Sequence, residues 1–177
     1  MGKQEKDKLK AFLAQKLRLY FGMKLSAEDM DAWTEELEGY TPQEIQDSFR
    51  RCIAKSKGVK IVLGDLLGHC ADIREQEVKT RANTMANALI KACNNFGLED
   101  VLIFNDNVAE HAMEQIGGWD QINKRFKSQE DLADAFVKAY MDLSSMDLPV
   151  KEVRFAPDRW VWELQEGEWQ CRQDPGV

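Results

Sequence analysis

Apolar residues recur at spacings of three and four from Leu9 to Leu143, and the spacing changes to two only beyond Pro149. A period near 3.6 stacks side chains on one helix face, whereas a period of two sorts them onto the two sides of a strand. A chain patterned this way buries helix against helix and leaves its strands to a short C-terminal part. The predicted class is mainly α: a helical bundle of about seven or eight helices with a small C-terminal antiparallel β-hairpin. Three parts follow from the same pattern: an N-terminal helical module over 1–74, a second helical module over 75–149, and a hairpin tail over 150–177 packed on the second module.

Local signals place the elements. Leu9, Phe12, Leu13, Leu17 and Tyr20 make one apolar face of a first helix over Lys3–Phe21, which Gly22 closes. Ser26 is placed to cap a second helix, with Glu28 and Asp29 in its first turn, where negative charge suits the helix dipole. Thr41-Pro42-Gln43-Glu44 combines a capping box with proline at the first helical position, and so starts a third helix carrying Ile45, Phe49, Cys52 and Ile53. Gly58 ends it. A fourth helical segment carries Leu63, Leu66, Leu67 and Cys70 and stops near Ile73, with Gly64 and Gly68 permitting close approach or a break. A long helix then runs from about Glu75 to Phe96, with Gly97 as its stop.

The stretch from Asp100 to Trp119 is the most tightly specified. Val101–Phe104 is too short for a helix and suits a buried strand. Asn105-Asp106-Asn107 offers side-chain acceptors for a helix start, and Val108, Ala112 and Ile116 stack four apart behind it. Gly117-Gly118 ends that helix, and Trp119 follows where the chain turns back. Ser128 caps a last helix lined by Leu132, Phe136, Tyr140 and Leu143. After Pro149, Val153 and Phe155 and then Trp160, Trp162 and Leu164 alternate with polar residues. Glu166-Gly167 is the hairpin tip. Trp160 and Trp162 share a strand face by parity, so both are expected to be buried against the helices.

Hydrophobic residues make up 44% and charged residues 31% of the chain, the composition of a folded protein. No apolar run approaches the roughly 18 residues that cross a bilayer, and the polar, basic start lacks the apolar centre of a signal peptide. The expectation is a cytoplasmic protein without membrane contact. Cys52, Cys70, Cys93 and Cys171 are far apart and unpaired in sequence, so reduced thiols acting as core residues are expected. The net charge of −7 argues against a dedicated DNA-coating protein. The first 60 residues hold 12 basic and 10 acidic groups, leaving −9 for the remainder. A weak nucleic-acid contact by the N-terminal part is therefore compatible with the sequence.

Chemistry-bearing constellations do not emerge. His69 and His111 are the two histidines; Glu110 and His111 are neighbours about 100° apart on a helix and cannot face one ion. No phosphate-cradling Gly-x-x-x-x-Gly-Lys-Ser/Thr loop and no Gly-x-Ser-x-Gly elbow occurs. The reading is a non-enzymatic protein with no cofactor and no catalytic or metal-ligating residues. It acts by presenting a surface to a protein partner, through the basic residues Arg50, Arg51, Lys55, Lys57 and Lys60 around the end of the third helix.

Two stretches carry a family resemblance. Within Leu17–Cys70, Trp33 and Leu37, Phe49-Arg50-Arg51 and Ile61-Val62-Leu63 resemble the N-terminal module of ATP-independent phage helicase loaders. Val101–Phe104 and Asp106 through Gly117-Gly118-Trp119 resemble an uncharacterised prophage family with a Phe-Asp-Asp turn, a helix and a Gly-Gly-Trp end. Asn107 stands where that family has proline, and Glu110 where it has histidine, so His111 inherits no role. The resemblance implies a phage or prophage adaptor in DNA replication whose partner is a replicative helicase or an associated protein. Inhibition of a host defence complex or host enzyme, and direct nucleic-acid binding by the basic N-terminal half, are the competing expectations.

Overall fold

In the computed structural model, which describes residues 2–56, 60–97, 100–150 and 160–172, helices start where side chains can take up free backbone N–H groups. Among the described residues the helices are α1 (Lys3–Phe21), α2 (Ala27–Glu36), α3 (Pro42–Ser56), α4 (Leu63–Asn95), α5 (Asn107–Gln115), α6 (Ile122–Arg125) and α7 (Gln129–Leu143). A 3-10 turn over Trp119–Gln121 precedes α6, and the strands are β1 (Val101–Phe104), β2 (Val161–Gln165) and β3 (Glu168–Arg172). The protein is mainly α with a β element near its C-terminal end, as the periodicity requires.

The caps are those the sequence specifies. Ser26 accepts from the Asp29 amide, Ser128 from the Asp131 amide, and Asp106 from the amides of both Val108 and Ala109. At the start of α3 the box is reciprocal: the Glu44 amide donates to Thr41 Oγ1 at 3.2 Å while the Thr41 amide donates to Glu44 Oε2 at 2.6 Å. Gly22 closes α1 in the left-handed conformation, φ 61°.

The chain divides into two compact units, Met1–Gln76 and Glu77–Val177. The first has its own core, in which Leu13, Leu17 and Leu37 are fully buried and Ile45, Phe49, Cys52, Leu66 and Cys70 join them. Each such aliphatic or aromatic side chain contributes about 1.5–3 kcal/mol by leaving water. The second unit gathers Leu89, Phe104, Ala112, Met113, Ile122, Phe136, Tyr140 and Leu164 around α5 and α7.

Two expectations are corrected and a third is extended. The fourth and fifth helical segments are one helix, α4, that passes through Ile73 without interruption. Gly64 and Gly68 neither break it nor admit a close neighbour, since a Cβ added at either meets nothing within 4 Å. Glycine weakens a helix without forbidding it, and the apolar stripe on both sides carries the helix through. The expected antiparallel hairpin forms, and it gains a third strand. β2 pairs antiparallel with β3 and parallel with β1, making a mixed sheet of order β1-β2-β3 with Val101 opposite Val161 and Phe104 opposite Leu164. A two-stranded hairpin is marginal alone, and the four-residue β1 supplies the third strand.

The second correction is Trp160, which is 57% exposed. Strand pairing begins at Val161, so parity no longer fixes where the preceding side chain goes; the Trp160 carbonyl accepts from the Val101 amide at 2.8 Å. The inward aromatic pair is instead Trp162, stacked on Phe96 at 4.2 Å, and Trp169, edge-on to Phe104 at 5.2 Å. The hairpin tip falls where expected: Glu166 and Gly167 both have positive φ, 49° and 86°, as a two-residue turn matched to strand twist requires. Val153 and Phe155, the Gly58 stop and the tail beyond Arg172 lie outside the described residues.

Candidate interaction surface

The sequence-predicted basic residues divide on the structure. Arg50, Arg51 and Lys55 lie on α3; Arg50 and Lys55 are exposed, Arg51 is half-buried, and Lys60 is exposed just before α4. Lys57 lies outside the described residues. Arg51 and Lys55 are one turn apart and share a face. Arg50 points about 100° away and is already neutralised, its guanidinium donating to Asp47 Oδ1 at 2.7 Å. A hydrogen bond from Gln43 and the charges of Arg50 and Arg51 hold the Asp47 carboxyl below the usual carboxylate range. The row of cations therefore reduces to Arg51, Lys55 and Lys60.

Periodicity does not reveal a concavity in the first unit. A groove of about 550 Å³ opens between α1, the turn after α2 and the start of α3. Leu9, Phe12, Tyr40, Pro42 and Ile45 form its apolar lining, and Glu5, Lys8, Glu38 and Gln46 its rim. Its size is that of a small-molecule or side-chain pocket. The rim acids are satisfied from within. Glu5 accepts from the Gly2 amide at 2.8 Å, and Glu38 pairs with Lys6 at 2.7 Å, which holds the Glu38 carboxyl down at about 2. Lys10 pairs with Asp31. Lys8 has no ionic partner among the described residues.

The groove's far wall is anchored by an ion pair. The Arg74 guanidinium donates from Nε to Glu44 Oε1 at 2.8 Å, from Nη2 to the Gly39 carbonyl at 2.8 Å, and lies 4.7 Å from the centre of the Tyr40 ring. Glu44 is buried, and Arg74 lowers its carboxyl below the ordinary range. The turn carrying Tyr40 into the groove is thus held by one side chain from α4. Nothing in the local sequence pairs Arg74 with a glutamate 30 positions earlier, so sequence reasoning has no signal for it.

In the second unit the polar residues of the Asp106 turn are consumed internally. Asp106 Oδ2 accepts from the Tyr140 hydroxyl at 2.6 Å, Asn105 donates to the Leu164 carbonyl and Asn107 to the Leu148 carbonyl. Burial, reinforced by the Asp106 carboxylate, pushes the Tyr140 hydroxyl above the ordinary tyrosine range. The Glu110 carboxylate accepts from the Phe104 amide, and His111 Nε2 lies 2.9 Å from the Pro149 carbonyl oxygen. These contacts join β1, α5, α7 and β2. They are the groups of a fold, each directed at backbone or at another capping side chain.

No protein family, curated protein or solved structure matches the chain. The site must therefore be read from its own geometry. Among the described residues no group of three His, Cys, Asp or Glu could hold a metal ion, and no helix is long and apolar enough to cross a membrane. Cys52 and Cys70 are buried and Cys93 half-buried, with burial raising all three thiols away from the reactive thiolate, while Cys171 is exposed rather than in the core.

Proposed function

We propose that this protein is a non-enzymatic phage or prophage adaptor acting in DNA replication, which binds a replicative helicase or a protein associated with it through its first unit. The observation that carries the reading is the open groove of that unit: an apolar concavity whose rim acid Glu38 is paired to Lys6 and whose Glu5 accepts from the Gly2 amide, while Lys8 on the same rim has no ionic partner among the described residues. Such a surface is suited to holding a segment of another macromolecule. The partner's identity rests on the resemblance of the Leu17–Cys70 segment to helicase-loader modules. The half-buried Arg51 and the exposed Lys55 and Lys60 would steer an acidic partner toward the same unit.

The test is copurification of the full chain, tagged, with the replicative helicase of its host. A stoichiometric companion is expected, and Arg51→Glu with Lys55→Glu should reduce its retention about tenfold, with the loss growing at low salt. A host enzyme of another class as the stoichiometric companion would replace the replication reading with inhibition. Undiminished retention by the double variant would remove the α3 cations from the interface.

A further inference from the structure

One face of α1 carries a row of half-buried and exposed residues, of which Phe12 also packs on the core. Lys8, Phe12, Lys16 and Tyr20 follow at spacings of four, so they lie in a row, and Leu19 borders its end. Lys16 Nζ sits 5.6 Å from the centre of the Phe12 ring and 5.4 Å from that of Tyr20, which ties the row together. Tyr20 is 45% and Leu19 65% exposed. Phe12 and Lys8 belong also to the groove, so apolar floor and basic-aromatic row are one continuous strip. From Lys8 to Tyr20 it is about 18 Å long, the length of about twelve residues of helix.

We infer that this strip is the docking site for an acidic amphipathic helix of the partner protein. Its apolar residues at i, i+3, i+4 and i+7 would seat in the groove and along Phe12, Tyr20 and Leu19, with flanking Asp or Glu meeting Lys8 and Lys16. The inference rests on the adaptor reading and names the chemistry of what the adaptor holds. Charge decides the occupant. On the rim Glu38 is paired to Lys6 and Glu5 accepts from the Gly2 amide, while Lys8 on the rim and the ring-bound Lys16 beyond it carry the positive charge that an incomer meets. Shape decides between macromolecules. A groove lined by Leu9, Ile45 and Pro42 takes aliphatic and aromatic side chains, whereas single-stranded nucleic acid needs a cationic track along its backbone that two lysines in a chain of net charge −7 do not supply.

The experiment selects a displayed library of random peptides, each about 16 residues long so as to span the strip as a helix, on the full chain, with a fluorescein-labelled single-stranded oligonucleotide titrated in parallel. Enriched peptides should share apolar residues at helical spacing with acidic flanks. Their affinity should fall about tenfold or more on Lys8→Glu with Lys16→Glu, both surface changes, and on Phe12→Ala. The charge-reversed variant keeps the test valid if Phe12→Ala disturbs its packing on Phe49. Peptides without acidic flanks, or peptides indifferent to the lysine reversals, overturn the inference, as does oligonucleotide binding that the reversals abolish when no peptide is enriched. The two readings fail separately. A Lys8→Glu/Lys16→Glu chain that binds no selected peptide yet retains the helicase leaves the adaptor standing and removes this site. Peptide binding without helicase copurification does the reverse.

Discussion

The two units use their polar side chains in opposite ways. In the second, Asp106, Asn105, Asn107 and Tyr140 all bond to backbone or to each other, and the indole N–H of Trp119 and of Trp169 reach the carbonyls of Gly97 and Ala88 at 3.0 and 2.8 Å. In the first, Glu44, Arg74 and Ser48 hold the fold, while Lys8 lies on the rim of an open groove and Lys55, Lys60, Leu19 and Tyr20 are exposed. A buried polar group that finds its partner within the fold specifies that fold; an exposed one beside apolar surface is free to meet something else. A partner is therefore to be sought on the first unit.

Asp106 is where the second unit's internal satisfaction is most easily undone. Asp106→Ala removes the cap of two α5 amides and leaves the Tyr140 hydroxyl buried without its acceptor, so a loss of about 3 kcal/mol in urea unfolding is expected. Asp106→Asn keeps a side-chain oxygen for the cap and should lose about 1 kcal/mol. Equal losses for the two would mean that the charge of Asp106, rather than its capping oxygen, holds the turn.

The Arg74–Glu44 pair is a comparable polar contact in the first unit, and cutting it should be milder. Arg74→Ala leaves the Glu44 carboxylate, with 6% of its side-chain surface exposed, without its guanidinium. Because Arg74 is half exposed and water can partly replace it, about 2 kcal/mol is expected rather than the full value for breaking a buried pair. The pH dependence has a definite sign. The folded state holds the Glu44 carboxyl below its unfolded value of about 4.3, so this contribution is complete above that pH and is lost as pH falls through the lower folded value. A Glu44→Gln chain should therefore lose less stability between about pH 4 and pH 2 than the parent, measured by denaturant midpoints. Parallel curves would assign the acid limb to other carboxylates.

The smallest effects contrast two glycines. Gly68 lies in α4 with open space where a Cβ would stand, and Gly68→Ala should raise stability by about 0.5–1 kcal/mol. Gly118, at φ 79° and with Asp120 Oδ1 3.3 Å from an added Cβ, sits in the second unit's Gly-Gly turn, so Gly118→Ala should lower stability by about 1–2 kcal/mol. Thermal midpoints moving in opposite directions would separate slack helix surface from specified turn; midpoints moving together would erase that distinction.

Caps, helix faces and turn glycines were legible in the chain because each is a short-range matter. Ser26, Thr41, Asp106 and Ser128 act within three residues of themselves, and the apolar faces of α1, α3 and α7 depend only on a spacing of three or four. Of the candidate site, the outward cations on α3 could be placed from the same spacing, while the neutralisation of Arg50 by Asp47 needed its rotamer.

Features that join distant parts of the chain came from packing instead. The pairing of β1 with β2 joins Val101 to Val161, and a four-residue strand contains no address for its neighbour. Periodicity suggests a break near Ile73, yet α4 runs on, because the net of packing over a whole stripe outweighs two weak helix formers. The groove exists only because α1 and the start of α3 pack with Tyr40 between them, held there by Arg74. Sequence determines which faces are apolar and where helices begin; which faces remain uncovered is set by the assembled elements, since exposure is a property of neighbours and not of the residue itself.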